Sequence, residues 1–98
     1  MSEEKEITVD HTNFQEVIKE GVVILEPQDT FNYGIVGYKP KEEKLIYALS
    51  RLIHSLCEKE DCEYEEALEW LYYNTIRSSH YMENYPIILE DISDCYHG

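Results

Sequence analysis

Two apolar stripes at helical spacing, broken by one acidic connection, restrict the folding of this chain more than any other feature. Leu45, Ile46, Leu49, Leu52, Ile53, Leu56 and Cys57 form the first, and Ala67, Leu68, Leu71, Tyr72 and Ile76 form the second. Residues three and four apart share one face of an α-helix, so each stripe is the buried side of an amphipathic helix. Glu60–Glu63 leaves room only for a tight turn between them, which makes the helices antiparallel neighbours. Glu63, Glu65 and Glu66 crowd the first turn of the second helix, where unsatisfied N–H groups favour anions. Periodicity alone would begin the first helix just after Pro40, whereas KLIY (44–47) reads equally well as the return strand of a hairpin.

The flanking stretches supply strand material. Residues 1–12 are charged and non-periodic apart from EITVD, a candidate edge strand, and a mobile start is expected there. Phe14, Val17 and Ile18 make one helical turn, closed by Gly21. The β-branched run Val22–Leu25, stopped by Pro27, reads as a strand. FNYGIVGY (31–38) fits a short buried strand, and the KPKEE that follows is a polar turn. Near the other end, Pro86 introduces a last strand in YPIILEDI. A chain of 98 residues with 43% apolar content supports one domain with one small core.

Charge narrows the functional classes. The net charge is −13, and it is uneven: residues 1–59 hold seven cations and eleven acids, residues 60–98 one cation and ten acids. Such a field repels nucleic-acid phosphates and anionic lipid and favours a basic partner, so direct nucleic-acid or membrane binding is not expected. The acidic MSEEKE start is unlike a signal peptide, and no apolar run approaches a membrane span, which together suggest a cytoplasmic protein. Three cysteines, Cys57, Cys62 and Cys95, suit reduced thiols better than a disulfide framework. With His97 they could be drawn as four zinc ligands, but the spacing is looser than structural zinc uses, and no metal or other cofactor is expected.

Two constellations carry the candidate chemistry. Glu58, Glu60, Asp61, Glu63, Glu65, Glu66 and Glu69 place seven acids in twelve residues, relieved only by Lys59. They read either as a solvated helix end or as an imitation of a nucleic-acid backbone. Duplex DNA carries one charge per about 1.7 Å of axis, a density that carboxylates on a helix rising about 1.5 Å per residue approach over a few turns. The second constellation is Tyr73, Asn74 and Tyr81 around Arg77, the only Lys or Arg after Lys59. There Arg77 is either a clasp tying the helix end to a neighbouring carboxylate such as Glu90 or Asp91, or an anion-binding residue in a tyrosine pocket. His11, His54, His80 and His97 do not pair with Cys or Ser as a nucleophile and base would, and with no phosphate loop or nucleophile elbow present an enzyme is not expected.

ILEPQDTFNYGIVGY, KLIYALSRLIHSL, YEEALEWLYYNTIRSSHY and YPIILEDI, in that order, resemble a family of small proteins of unknown function encoded in bacteriophage and prophage genomes. The resemblance covers Val22–Ile92 and is most specific in EEALEWLYYNTIR. It implies that LIY is a strand and that the helix starts just after it at an Asp or Ser cap, a place this chain fills with Ala48. A second departure is His80, where the family often has Pro before the tyrosine. The expected architecture is then α+β: a mostly antiparallel sheet of three or four strands (about 22–25, 34–38, 44–47 and 86–90) packed by two antiparallel helices (about 48–60 and 64–78). The expected function is that of a non-enzymatic phage accessory protein in the host cytoplasm. It would bind and inhibit a basic nucleic-acid-binding host protein such as a nuclease, as an anti-CRISPR-like DNA mimic acting against host defence. The alternatives are a structural or regulatory homodimer and a small-molecule or nucleotide sponge built on Arg77 and its tyrosines.

Overall fold

The structure is a computed structural model that describes residues 9–80 and 82–92. Its elements are α1 (Phe14–Val17), α2 (Gln28–Phe31), a 3-10 turn (Asn32–Gly34), β1 (Ile35–Lys39), β2 (Lys44–Ala48), α3 (Leu49–Glu60), α4 (Tyr64–Leu71), a π turn (Tyr72–Ile76), a further 3-10 turn (Arg77–His80) and β3 (Ile87–Leu89). The class is α+β. β2 is the central strand, in the order β1-β2-β3.

β1 and β2 form the expected hairpin, with Tyr38 opposite Leu45 and Lys39 opposite Lys44. Its four-residue turn ends on Glu43, whose left-handed backbone (φ 59°) brings its N–H to the Lys39 carbonyl at 2.7 Å. A bulge at Val36 shifts the register between Ile35 and Gly37. β3 joins the other edge of β2 in parallel, with Tyr47 opposite Ile88. The sheet is therefore mixed, because α3 and α4 carry the chain across the sheet and return it running the same way as β2.

Side chains alternate on β2: Leu45 and Tyr47 are fully buried, while Lys44 and Ile46 are only half-buried. Against the buried face pack Leu49, Leu52, Ile53 and Leu56 of α3, and Ala67 and Leu71 of α4. Full burial of a leucine such as Leu52 or Leu71 contributes roughly 1.5–3 kcal/mol. Val9, only 1% exposed, belongs to the same core. EITVD otherwise lies mostly outside the described residues. Among the described residues, no helix is long and apolar enough to cross a membrane.

Three local expectations change. The run Val22–Leu25 is not a strand: it packs its apolar side chains on the core and is tied by the Leu25 N–H, which donates to the Tyr47 hydroxyl at 3.0 Å. A side-chain anchor replaces the ladder there, and the chain turns at once through the cis Glu26–Pro27 bond into α2. At the start of α3, Ala48 has no capping oxygen, and the cap comes from Asp91 instead. The second long helix does not run unbroken to 78, because the α-helical turns stop at Leu71. Beyond it the Asn74 side-chain amide donates to the Trp70 carbonyl at 2.9 Å, taking the acceptor that the Asn74 backbone N–H would use in an α-helix. The next turn widens accordingly, and the Arg77 N–H reaches back five residues to the Tyr72 carbonyl.

Candidate binding groove

α4 has two working faces. Ala67 and Leu71 point into the core, while Glu66, Glu69 and Trp70, continued by Tyr73 and Asn74 of the π turn, line one wall of a groove of about 860 Å³. The opposite wall comes from α2 and the end of α3. Phe31 and Leu56, both buried, make an apolar floor, and Glu60 stands at the rim. The Phe31 and Trp70 rings lie 6.0 Å apart at 41°, so the core aromatic supports the exposed one. Trp70 is 42% exposed and Tyr73 66%, a large aromatic surface presented to solvent beside carboxylates.

The connection between the helices fixes this geometry. Asp61 adopts the left-handed conformation (φ 54°, ψ 46°) and ends α3, with its N–H on the Cys57 carbonyl. The Cys62 N–H reaches the same carbonyl at 3.3 Å, which brings Cys62 back against Cys57. Burial first, then Cys62 and the carboxylates of Glu63 and Glu66, push the Cys57 thiol above its ordinary pKa. Glu63 then caps α4: the Glu63 N–H donates to the Glu66 carboxylate at 3.1 Å, and the Glu66 N–H donates to the Glu63 carboxylate.

The seven acids named from the sequence are all exposed but have different surroundings. Glu60, Glu66 and Glu69 converge on the groove. Glu58 faces away and pairs with His54 at 3.3 Å. Asp61 and Glu63 shape the turn, and Glu65 is directed to solvent. Tyr73 and Asn74 belong to the groove, among carboxylates that disfavour an anion. Arg77 is exposed on the following 3-10 turn, outside the groove lining. Glu90 accepts from the Tyr72 hydroxyl at 3.5 Å, and Asp91 is taken by Ser50. Tyr81, and the Cys95 and His97 of the drawn zinc set, lie outside the described residues.

Sequence reasoning left Trp70, Phe31, Leu56 and Cys62 out of the site. The signal for Trp70 was available, since it stands four residues from Glu66 and Asn74 and three from Tyr73. A second cluster was also missed. The Arg51 guanidinium lies 4.7 Å over the Tyr33 ring and donates to the Tyr33 carbonyl at 3.3 Å, while His11 and His54 stack on the same ring at 5.5 and 6.0 Å. Beside it, Lys59 is tied to Asp29 at 3.2 Å. Those basic groups therefore serve α3 and α2, and none of them lines the acidic groove.

Among the described residues, no three His, Cys, Asp or Glu side chains converge as metal ligands. Compared with protein-family models, curated proteins and solved structures, the chain matches none.

Proposed function

We propose that the protein is a non-enzymatic binding protein whose acidic corner, where α3 passes into α4, engages a basic, nucleic-acid-binding protein. One observation carries the reading: Glu60, Glu66 and Glu69 rim a groove whose wall is the exposed indole of Trp70 and the ring of Tyr73. Carboxylates alone would suit a solvated face. Carboxylates beside unsatisfied aromatic surface suit an interface, because aromatic anchors supply affinity while charge supplies steering and selectivity. The phage context implied by the sequence resemblance adds a setting, in which the target is a basic host protein such as a defence nuclease and the acidic corner competes with its nucleic acid.

The test is capture from a bacterial lysate on the immobilised protein. A basic nucleic-acid-binding protein should be retained, should leave as salt rises from about 50 to about 200 mM, and should be displaced by duplex DNA. Reversing charge together at Glu65→Lys, Glu66→Lys and Glu69→Lys should abolish retention. Retention indifferent to salt and to DNA would refute the proposal. A second reading, self-association, rests on the exposed Tyr72 and Leu89 beside the β3 edge. Sedimentation across a concentration series decides it.

A further inference from the structure

We infer that the groove is an anchor pocket for a single arginine side chain, carried on a basic polypeptide segment, with its guanidinium laid against the Trp70 indole. This rests on the proposed function and names the group that the acidic corner holds. Indole gives the strongest cation–π attraction among the protein rings, and arginine is the side chain that most often uses it. Here the indole lines the groove beside Phe31, 6.0 Å away, and is 42% exposed. Glu66 and Glu69 lie on the same helical face as Trp70, one turn back and next to it, and Glu60 stands across the groove. A planar cation on the indole therefore shares the groove with carboxylates that can receive its N–H groups, which diverge in its own plane.

Other occupants fit less well. A nucleotide or free phosphate meets three carboxylates, and among the described residues no Lys or Arg lines the groove to offset them. A purely apolar segment would cover Trp70 and Tyr73 but leave the Glu60 and Glu69 carboxylates facing it without a donor from the segment. A compact ammonium offers point charge without a face to stack. The volume of about 860 Å³ lies within the range of small-ligand sites, enough for the arginine and a short length of its backbone.

Trp70 is the chain's only tryptophan, so its emission and its indole N–H resonance report on this pocket alone. The experiment titrates a capped Gly-Arg-Gly peptide into the full chain, with Gly-Lys-Gly and the neutral Gly-citrulline-Gly as controls. The arginine peptide should shift both signals saturably with a dissociation constant on the order of a millimolar. Citrulline should bind at least about tenfold more weakly, as loss of a cation–π contact and its ion pairs requires. Glu69→Gln, an exposed change outside the capping box, should weaken arginine several-fold and leave the melting temperature unchanged. Equal affinity for arginine and citrulline would overturn the inference, as would signals that stay still at millimolar peptide. So would an indole shift that grows with protein concentration alone, which would mean that a second copy fills the groove. The two proposals fail separately. Salt-sensitive capture of a basic protein with an unperturbed indole sinks the arginine anchor only. A saturable arginine shift without any DNA-displaceable partner keeps the anchor and sinks the assignment of its owner.

Discussion

Asp91 caps a helix that begins more than forty residues before it. Its carboxylate accepts from the Ser50 N–H at 2.9 Å and from the Ser50 hydroxyl at 2.7 Å, supplying α3 with the oxygen that Ala48 lacks. Partial burial works against the charge on Asp91, but the Ser50 amide and hydroxyl outweigh it and hold the carboxyl below the ordinary 3.8. Asp91→Ala should cost about 1 kcal/mol, as lost caps do, and lower Tm by about 4–8 °C. Because the folded pKa is depressed, this contribution is complete above the unfolded value and is lost as pH falls through the folded one. The difference in Tm between wild type and variant should therefore begin to shrink as pH falls below about 4.

Tyr47 is fully buried, and its hydroxyl accepts the Leu25 N–H. Tyr47→Phe strands that amide and should cost about 1–3 kcal/mol, read from urea denaturation. Burial, opposed by the Leu25 amide and reinforced by Tyr85 and Glu26, pushes the phenol up to about 12. A raised folded pKa gives stability that is present below the unfolded value near 10 and is lost as pH rises towards 12. The phenylalanine variant should show a shallower alkaline decline in Tm than wild type.

Gly34 lets the 3-10 turn press on α3. A Cβ there would sit 2.7 Å from Leu52 Cδ2 and 3.1 Å from its Cγ, against a fully buried side chain. Gly34→Ala should destabilise by about 1–3 kcal/mol through overpacking. Combined with Leu52→Ala it should cost less than the two single changes added, and a double-mutant cycle on chemical denaturation measures the difference.

The Cys57 thiol, raised by burial and by Cys62, Glu63 and Glu66, should be mostly protonated at pH 8. Timed alkylation with iodoacetamide, followed by peptide mapping, should find Cys57 modified at least several-fold more slowly than in the urea-unfolded chain. Equal rates in the two states would contradict the packing of the α3–α4 turn.

How much was legible in the chain depended on the range of the interaction. α3 and α4 announce themselves because an apolar stripe at helical spacing is a local signal, and the observed start of α3 at Leu49 falls within one residue of the expected one. Val22–Leu25 misled because β-branched residues mark apolar surface as readily as a ladder, and what ties them is one phenol from β2. Alternation of side chains says nothing about the direction of a partner strand, so the parallel pairing of β3 could not be read. The site was legible in halves. The acids and Tyr73 with Asn74 were visible as two separate constellations, and only tertiary packing of Phe31 and Leu56 joins them into one groove. Arg77, the most conspicuous cation in the sequence, stands apart from it.

The long reach of Asp91 also sets an order of events during synthesis. A ribosome makes residues 49–60 well before residue 91, and a twelve-residue helix without a cap or a finished core is marginal by itself in water. The β1–β2 hairpin can form early, but its third strand and the lock on α3 arrive together, within residues 87–91. Until that segment emerges, the nascent chain carries an open edge on β2 and exposed leucines on α3, and is at its most vulnerable to proteases and to pairing with the wrong strand.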